Sequence, residues 1–274
     1  MKKKLAKLPL IGPALLMLYR FLIGFKTVRP LFVNLLKWTW TSRETTNFTY
    51  DLTELNMVQL GNFVAHICSK PYPEIKNYMD EILNNAVFLE HIAQMQAQSS
   101  HTNKADMTVR LGRRVGWYAV VRATKPKLVI ETGVDKGLGS CVLCAALLAN
   151  KQEGYEGQFL GTDINPEAGY LLQTPYNSVG KILYGDSIES LKTVGAGIDL
   201  FINDSDHSAE YEADEYRVVA EKMSKNGIIL GDNSSATDKL HLFALETGRK
   251  FLYFQEVPKA HWYGGAGIGA AYFD

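Results

Sequence analysis

Leu128-Val-Ile-Glu131-Thr-Gly133-Val-Asp-Lys-Gly137-Leu-Gly139-Ser140 is the stretch from which the fold of this chain is read. Leu128, Val129 and Ile130 make a short apolar strand, and three glycines in seven residues make a sharp turn. The apolar run from Cys141 to Ala149 then makes a helix. Strand, glycine turn and helix in that order open a parallel α/β sheet. Outward from this unit, β-rich runs recur between helical ones at Gln158–Asp163, Lys181–Gly185, Asp199–Asn203, Gly227–Gly231, Phe251–Val257 and Gly267–Phe273. With Leu128–Thr132 the sequence predicts seven strands.

Open α/β sheets bind ligands beyond the carboxyl ends of their strands, and several of these ends are polar. The glycine turn lets backbone approach a ligand with no Cβ in the way. By itself it suits nucleotide, phosphate and nicotinamide sites alike. Asp163 closes the second strand, where a carboxylate accepts both hydroxyls of a ribose. Gly185-Asp186-Ser187 closes the third, with a carboxylate and a hydroxyl suited to an adenine amino group. Glu131, just before the turn, would repel a pyrophosphate. It suits a ligand carrying positive charge, such as the ammonium and sulfonium of S-adenosylmethionine.

The order Glu-x-Gly-x-x-x-Gly, strand-end Asp, then Gly-Asp-Ser resembles the class I S-adenosylmethionine-dependent methyltransferases, over about residues 110–274. The resemblance implies a Rossmann-like α/β fold whose seven-stranded sheet runs 3-2-1-4-5-7-6 with the last strand antiparallel. It implies S-adenosylmethionine as cofactor. Glu131, Gly133, Gly137 and Ser140 would surround its methionine end, Asp163 its ribose, and Asp186 and Ser187 its adenine side.

The fourth strand ends in Asn203-Asp204-Ser205-Asp206-His207, and the fifth in Gly231-Asp232-Asn233. Neighbouring ends of this kind bring carboxylates and an amide together, a hard-oxygen set suited to Mg²⁺. The set is similar to that of the cation-dependent O-methyltransferases, which implies Asp204, Asp232 and Asn233 as metal ligands. Where catechol-type members have a lysine three residues after the first metal Asp, this chain has His207. Asp-x-x-His resembles the macrocin and rhamnosyl sugar O-methyltransferases, which implies His207 as catalytic base and a vicinal-diol acceptor: a sugar, a glycolipid or another vicinal diol, as a small molecule or linked to lipid. Other readings stand beside this one. Asp206 can be the ligand and Asp204 a turn carboxylate, or Asp232-Asn233 can cap the next helix. The enzyme can also be a metal-independent N- or carboxyl-methyltransferase, or the chain a non-catalytic membrane-associated scaffold.

Composition narrows the class. The chain has 274 residues, 46% hydrophobic and 21% charged, which is ordinary globular composition and excludes a disordered or fibrous chain. Lys+Arg and Asp+Glu are equal at 29, which argues against a nucleic-acid partner held by overall charge. The balance is uneven along the chain, with nine basic residues and no acid in residues 1–43. Three divisions follow: a basic leader over 1–43, a helical extension over 44–107, and the methyltransferase domain over 108–274. The uncharged run from Leu8 to Tyr19 is shorter than the roughly 18–20 residues that cross a bilayer. A second apolar stretch follows at 30–40, with Lys37 beside Trp38 and Trp40. Cations and tryptophans flanking short apolar helices suit an anionic membrane interface. The expectation is a cytoplasmic protein, peripheral on the inner face of the membrane; packing on the domain, a homodimer contact and true spanning are the alternatives. In 44–107, periodic runs predict helices over Asp51–Cys68 and, after Pro71 and Pro73, over Glu74–Gln98. Cys141 and Cys144 read as small core residues in a reducing compartment. His66, His91, His101 and His241 read as surface or packing residues. His261-Trp262-Tyr263 reads as a substrate mouth or a packed hairpin.

Overall fold

A computed structural model describes residues 11–101, 105–232 and 234–273. Two compact units divide the chain. One is made by the residues up to Ser42 with Lys259–Gly264, the other by Arg43–Pro258 with Gly265–Asp274.

The larger unit is built on seven strands: β1 (Leu128–Thr132), β2 (Gln158–Asp163), β3 (Gly180–Tyr184), β4 (Ile198–Asn203), β5 (Met223–Gly231), β6 (Lys250–Gln255) and β7 (Gly267–Tyr272). Their order is β3-β2-β1-β4-β5-β7-β6, with β7 antiparallel to both its neighbours. The expected order and the reversed last strand are both present. Strand limits differ by a few residues from the sequence reading. β5 begins at Met223 rather than Gly227 because Ile198 pairs with Met223 before the register shifts to Leu200 opposite Ile228. β7 is buried at every position, and its glycines and alanines fit between β5 and β6. One side of the sheet packs Ile130, Phe201 and Ile229 against Tyr216, Leu240 and Phe243.

Connecting helices are α5 (Arg114–Thr124), α6 (Leu138–Gln152), α7 (Ser187–Thr193), α8 (Ala209–Ala220) and α9 (Lys239–Glu246). Cys141 and Cys144 lie fully buried on α6 as unpaired thiols, both pushed well above the ordinary thiol pKa, chiefly by burial. They are core residues.

Before α5 come α2 (Glu54–Ile67), α3 (Tyr72–Leu83) and α4 (Ala86–Gln98). The sequence predicts one helix where α3 and α4 stand as two. Asn84 and Asn85 divide them, because the Asn85 side chain accepts from the Phe88 N–H at 3.0 Å and caps a new helix. These helices belong to the same unit as the sheet. Asn56 on α2 donates to the Gln255 carbonyl at 2.9 Å and accepts from the Val257 N–H at 2.8 Å, holding the end of β6.

Among the described residues, the smaller unit is one helix, α1 (Ile11–Thr41), with the loop Lys259–Gly264. Two short helices are expected from the sequence; α1 instead runs through Pro30, because no capping residue or glycine turn accompanies that proline. Trp38 lies 5.3 Å from Trp262, ring centre to ring centre, and Asn34 donates to the His261 carbonyl at 3.4 Å. Of the two readings for His261-Trp262-Tyr263, aromatic packing describes what is seen within this unit. Among the described residues no helix is long and apolar enough to cross a membrane.

Candidate active site at the strand ends

Register brings the site together. Thr132 pairs with Thr162 and with Asn203, and Asn203 pairs with Gly231, so β1, β2, β4 and β5 finish side by side. The ladder continues one step beyond each strand. Gly133 donates to the Thr162 carbonyl at 2.9 Å, Asp204 to Thr132 at 2.9 Å and Asp232 to Asn203 at 2.8 Å. Three loops therefore leave the same edge with their first residues in contact.

Two glycines of the first loop need their freedom. Gly133 has φ +79°, and a Cβ there would lie 1.9 Å from the Asp204 carbonyl oxygen. Gly137 caps α6 at φ +92°, with the Gly169 backbone 3.0 Å from where its Cβ would be. Glu131 lies beneath the turn, 1% exposed, and Ser140 donates to its Oε2 at 2.5 Å. Burial pushes its pKa up to about 8, against the pull of Ser140 and Arg114. A carboxyl in that state gains from a cation brought alongside.

Asp163 organises the turn from the neighbouring strand. Its Oδ2 accepts from the Asp135 N–H and its Oδ1 from the Asn165 N–H, each at 2.8 Å. Asp186 caps α7 by accepting from the Glu189 N–H at 2.9 Å, and its other oxygen accepts from Tyr211 at 3.0 Å. Ser187 is buried and donates to Glu215. Glu215 also accepts from Asn203, from Ser205 at 2.7 Å and from Thr132 at 3.3 Å. One buried carboxyl on α8 thereby ties the ends of β1, β3 and β4; burial pushes it up to about 7 despite three hydroxyl donors.

The second cluster is Asp204, His207 and Asp232, whose nearest ligand atoms all lie within 4.8 Å of one another. His207 Nε2 stands 3.9 Å from Asp204 Oδ1, with its side chain 39% exposed against 15% for Asp204 and 1% for Asp232. Asn233 lies outside the described residues. Asp206 accepts from the Ser208 N–H at 2.9 Å, an exposed turn carboxylate outside the group. Asp232 is not a helix cap, since α9 starts at Lys239 with Asp238 before it.

Arg113, just ahead of α5, takes a place that the sequence reading did not assign. Its Nε and Nη2 fork onto the two oxygens of Asp232, the latter at 2.5 Å. Nη1 lies 3.6 Å from Glu256, and an Nη nitrogen reaches Asp204 at 4.0 Å. Burial opposes its charge, but Asp232, Glu256 and Asp204 outweigh burial and hold it well above the ordinary value. One guanidinium faces three carboxyls. The surplus is visible in Asp204, pushed well above the usual carboxylate range by burial and then by Asp232, and in Glu256, raised by burial. A divalent cation between Asp204 and Asp232 would relieve that surplus, so the residues fit a metal, with Arg113 as fixed counter-charge to Asp232. Glu215, Glu256 and Arg113 escape sequence reading because their partners are 10 to 143 residues away in the chain. The only local signal was the Arg113-Arg114 pair ahead of the first strand.

The remaining histidines make local contacts. His91 meets the Leu171 carbonyl at 3.1 Å, His66 packs on Tyr272, His101 on Tyr170 and His241 on Phe251.

Residues 130–234 match the family model described as a methyltransferase domain. No curated protein sequence matches the chain. Among solved structures, it is similar to an O-methyltransferase from Bacillus cereus in complex with SAH, at 15% identity and TM-score 0.53, covering 72% of this chain and 96% of that one. It is also similar to the O-methyltransferase TomG of Streptomyces achromogenes, in complex with SAM and involved in tomaymycin synthesis, at 14% identity and TM-score 0.51, covering 68% and 88%. An SAH-bound methyltransferase from Podospora anserina aligns at 15% identity and TM-score 0.50, covering 84% and 100%. The match covers the stretch from β1 to the end of β5, and the strand order is the one that the resemblance to class I methyltransferases implies.

Proposed function

We propose that the chain is an O-methyltransferase that moves the methyl group of S-adenosylmethionine to one hydroxyl of a vicinal diol on a sugar or glycolipid. In this reading Asp204 and Asp232 hold a divalent cation, Mg²⁺ by the hardness of their oxygens. The observation that carries it is the meeting of Asp204 and Asp232, the residues directly after β4 and β5, with His207 of the loop after β4, against the Gly133 turn. The glycine turn and Asp163 are suited to the methionine and ribose portions. Arg113 pairs with Asp232 and aims it, and Glu215 fixes the loop that carries Asp204 and His207. When bound, the cation supplies positive charge beside the acceptor oxygens and lowers the pKa of the attacked hydroxyl. His207, at the open lip of the cluster, takes the hydroxyl proton on an imidazole nitrogen. As that oxygen bonds the methyl carbon, the carbon–sulfur bond breaks and S-adenosylhomocysteine remains. Attack needs oxygen and methyl in line at about 3 Å, so positioning supplies much of the acceleration.

The test is transfer of labelled methyl from S-adenosylmethionine to a lipid and metabolite extract, with Mg²⁺ or with chelator. Turnover should need the cation and should fall at least ~100-fold in His207→Ala, within the usual span of a general base, with cofactor affinity kept. Full turnover in His207→Ala removes the base from the mechanism. The Arg113 fork on Asp232 favours a second reading, in which the guanidinium replaces the metal and the enzyme is metal-independent. Chelator-insensitive turnover would select it. Failure to bind S-adenosylmethionine in calorimetry would leave a scaffold.

A further inference from the structure

Helix α1 exposes many large apolar side chains among the described residues. Met17, Phe21, Phe25, Val28, Phe32 and Leu36 recur at spacings of three and four, which puts them on one face, and Tyr19, Ile23 and Val33 extend the apolar surface on the other. Each is between 44% and 69% exposed. At 100° per residue, Arg20, Lys26 and Lys37 fall on the other side and Arg29 at the stripe's edge. The sequence up to Arg43 holds no acid at all.

We propose that this face of α1 lies in the surface of an anionic lipid bilayer, with Arg20, Lys26, Arg29 and Lys37 among the headgroups. Length and charge spacing separate lying from crossing. At 1.5 Å per residue α1 extends roughly 46 Å, beyond the ~30 Å of hydrocarbon. Its longest stretch without a charge, Ile11–Tyr19, is far short of the roughly 17 apolar residues a span needs. A crossing helix would sink Arg20, Lys26 or Arg29 in hydrocarbon. A helix lying flat buries the stripe and leaves all four cations in water beside lipid phosphates. Charge also argues against a second copy as the occupant. Two such leaders would face each other with cations and no carboxylate to meet them, whereas an anionic membrane supplies the missing charge. Trp40, 87% exposed near the helix end, is the residue type that settles at headgroup depth.

The experiment is flotation of the full chain with vesicles of phosphatidylcholine alone or with 30 mol% (about one lipid in three) phosphatidylserine. The wild-type protein should rise with the anionic vesicles and only weakly with the neutral ones. Raising salt from about 0.1 to 0.5 M should weaken binding without abolishing it, because screening removes only the electrostatic share. A Phe21→Ser, Phe25→Ser, Phe32→Ser variant should lose bound fraction about tenfold on both vesicles. An Arg20→Gln, Lys26→Gln, Arg29→Gln, Lys37→Gln variant should lose it on anionic vesicles only. Wild-type protein that stays at the bottom with anionic vesicles overturns the proposal, with no variant required. So does a wild-type dimer, seen by light scattering, that does not float and that the triple-serine change dissociates, since a second copy then covers the stripe. Methyl transfer is not read here, so the result stands apart from the fate of the catalytic reading.

Discussion

Asp163 shows how a single carboxylate serves both the fold and the cofactor reading. Both its oxygens already accept backbone N–H groups of the loops at the end of β2. Asp163→Ala should therefore slacken the Asp135 turn and, on the proposed reading, remove the ribose acceptor with it. The expected loss is about 1–3 kcal/mol of S-adenosylmethionine affinity, measured by calorimetry. Unchanged affinity would show that the ribose lies elsewhere. Arg113 belongs to the same scale. Arg113→Gln leaves Asp232 and Glu256 without their shared cation, and removing one partner of a buried ion pair costs about 3–5 kcal/mol. Urea unfolding should show that loss, and a Mg²⁺-dependent recovery would place a cation at Asp232. Neither the fork nor Glu256's share in it could be read in advance, since Arg113 and Glu256 meet only after the whole sheet has assembled.

At the scale of elements, the strand ends were legible because composition and position agree: Asp163, Asp204 and Asp232 each follow an apolar run. Strand starts were less so. The first residues of β5, Met223-Ser-Lys-Asn, carry no apolar pattern and pair only through their backbone at a register shift. The α3–α4 break was misread because Asn84-Asn85 act through a side-chain cap, which outweighs a helical rhythm on both sides. The single helix α1 departs from the expected pair because Pro30 lies within it and does not end it. The loop after β1 supplies the prediction for this scale. Gly133→Ala puts a methyl group onto the Asp204 carbonyl at a backbone angle that alanine resists. It should lower stability by about 1–3 kcal/mol, the usual cost of a strained residue, and reduce cofactor affinity as well. A melting temperature and affinity equal to wild type would mean that the two loops are further apart than described.

For the molecule as a whole, burying acids has a consequence for its pH range. Glu131 at about 8 and Glu215 at about 7 both sit above the ordinary value of 4.5. Between pH 4.5 and those values the folded chain holds protons that the unfolded chain releases. Stability from these groups is complete below pH 4.5 and declines as pH rises toward 8. Urea unfolding of the ligand-free protein should lose on the order of 3 kcal/mol over that window through Glu215. Glu215→Gln, which cannot ionise, should reduce the slope to the share that Glu131 leaves. An identical slope in that variant would assign the titration to another acid.

The backbone contact of Gly133 with Asp204 reaches beyond stability. The loop suited to the cofactor and the loop suited to the cation share one van der Waals wall, so neither shifts without the other. If cofactor narrows or widens the gap at Asp204 by its occupancy of the Gly133 turn, it alters cation affinity by some factor. Thermodynamic reciprocity then obliges the cation to alter cofactor affinity by the same factor. Under the proposed reading, loading is a closed cycle of two bindings with one shared coupling free energy, set where Gly133 meets Asp204.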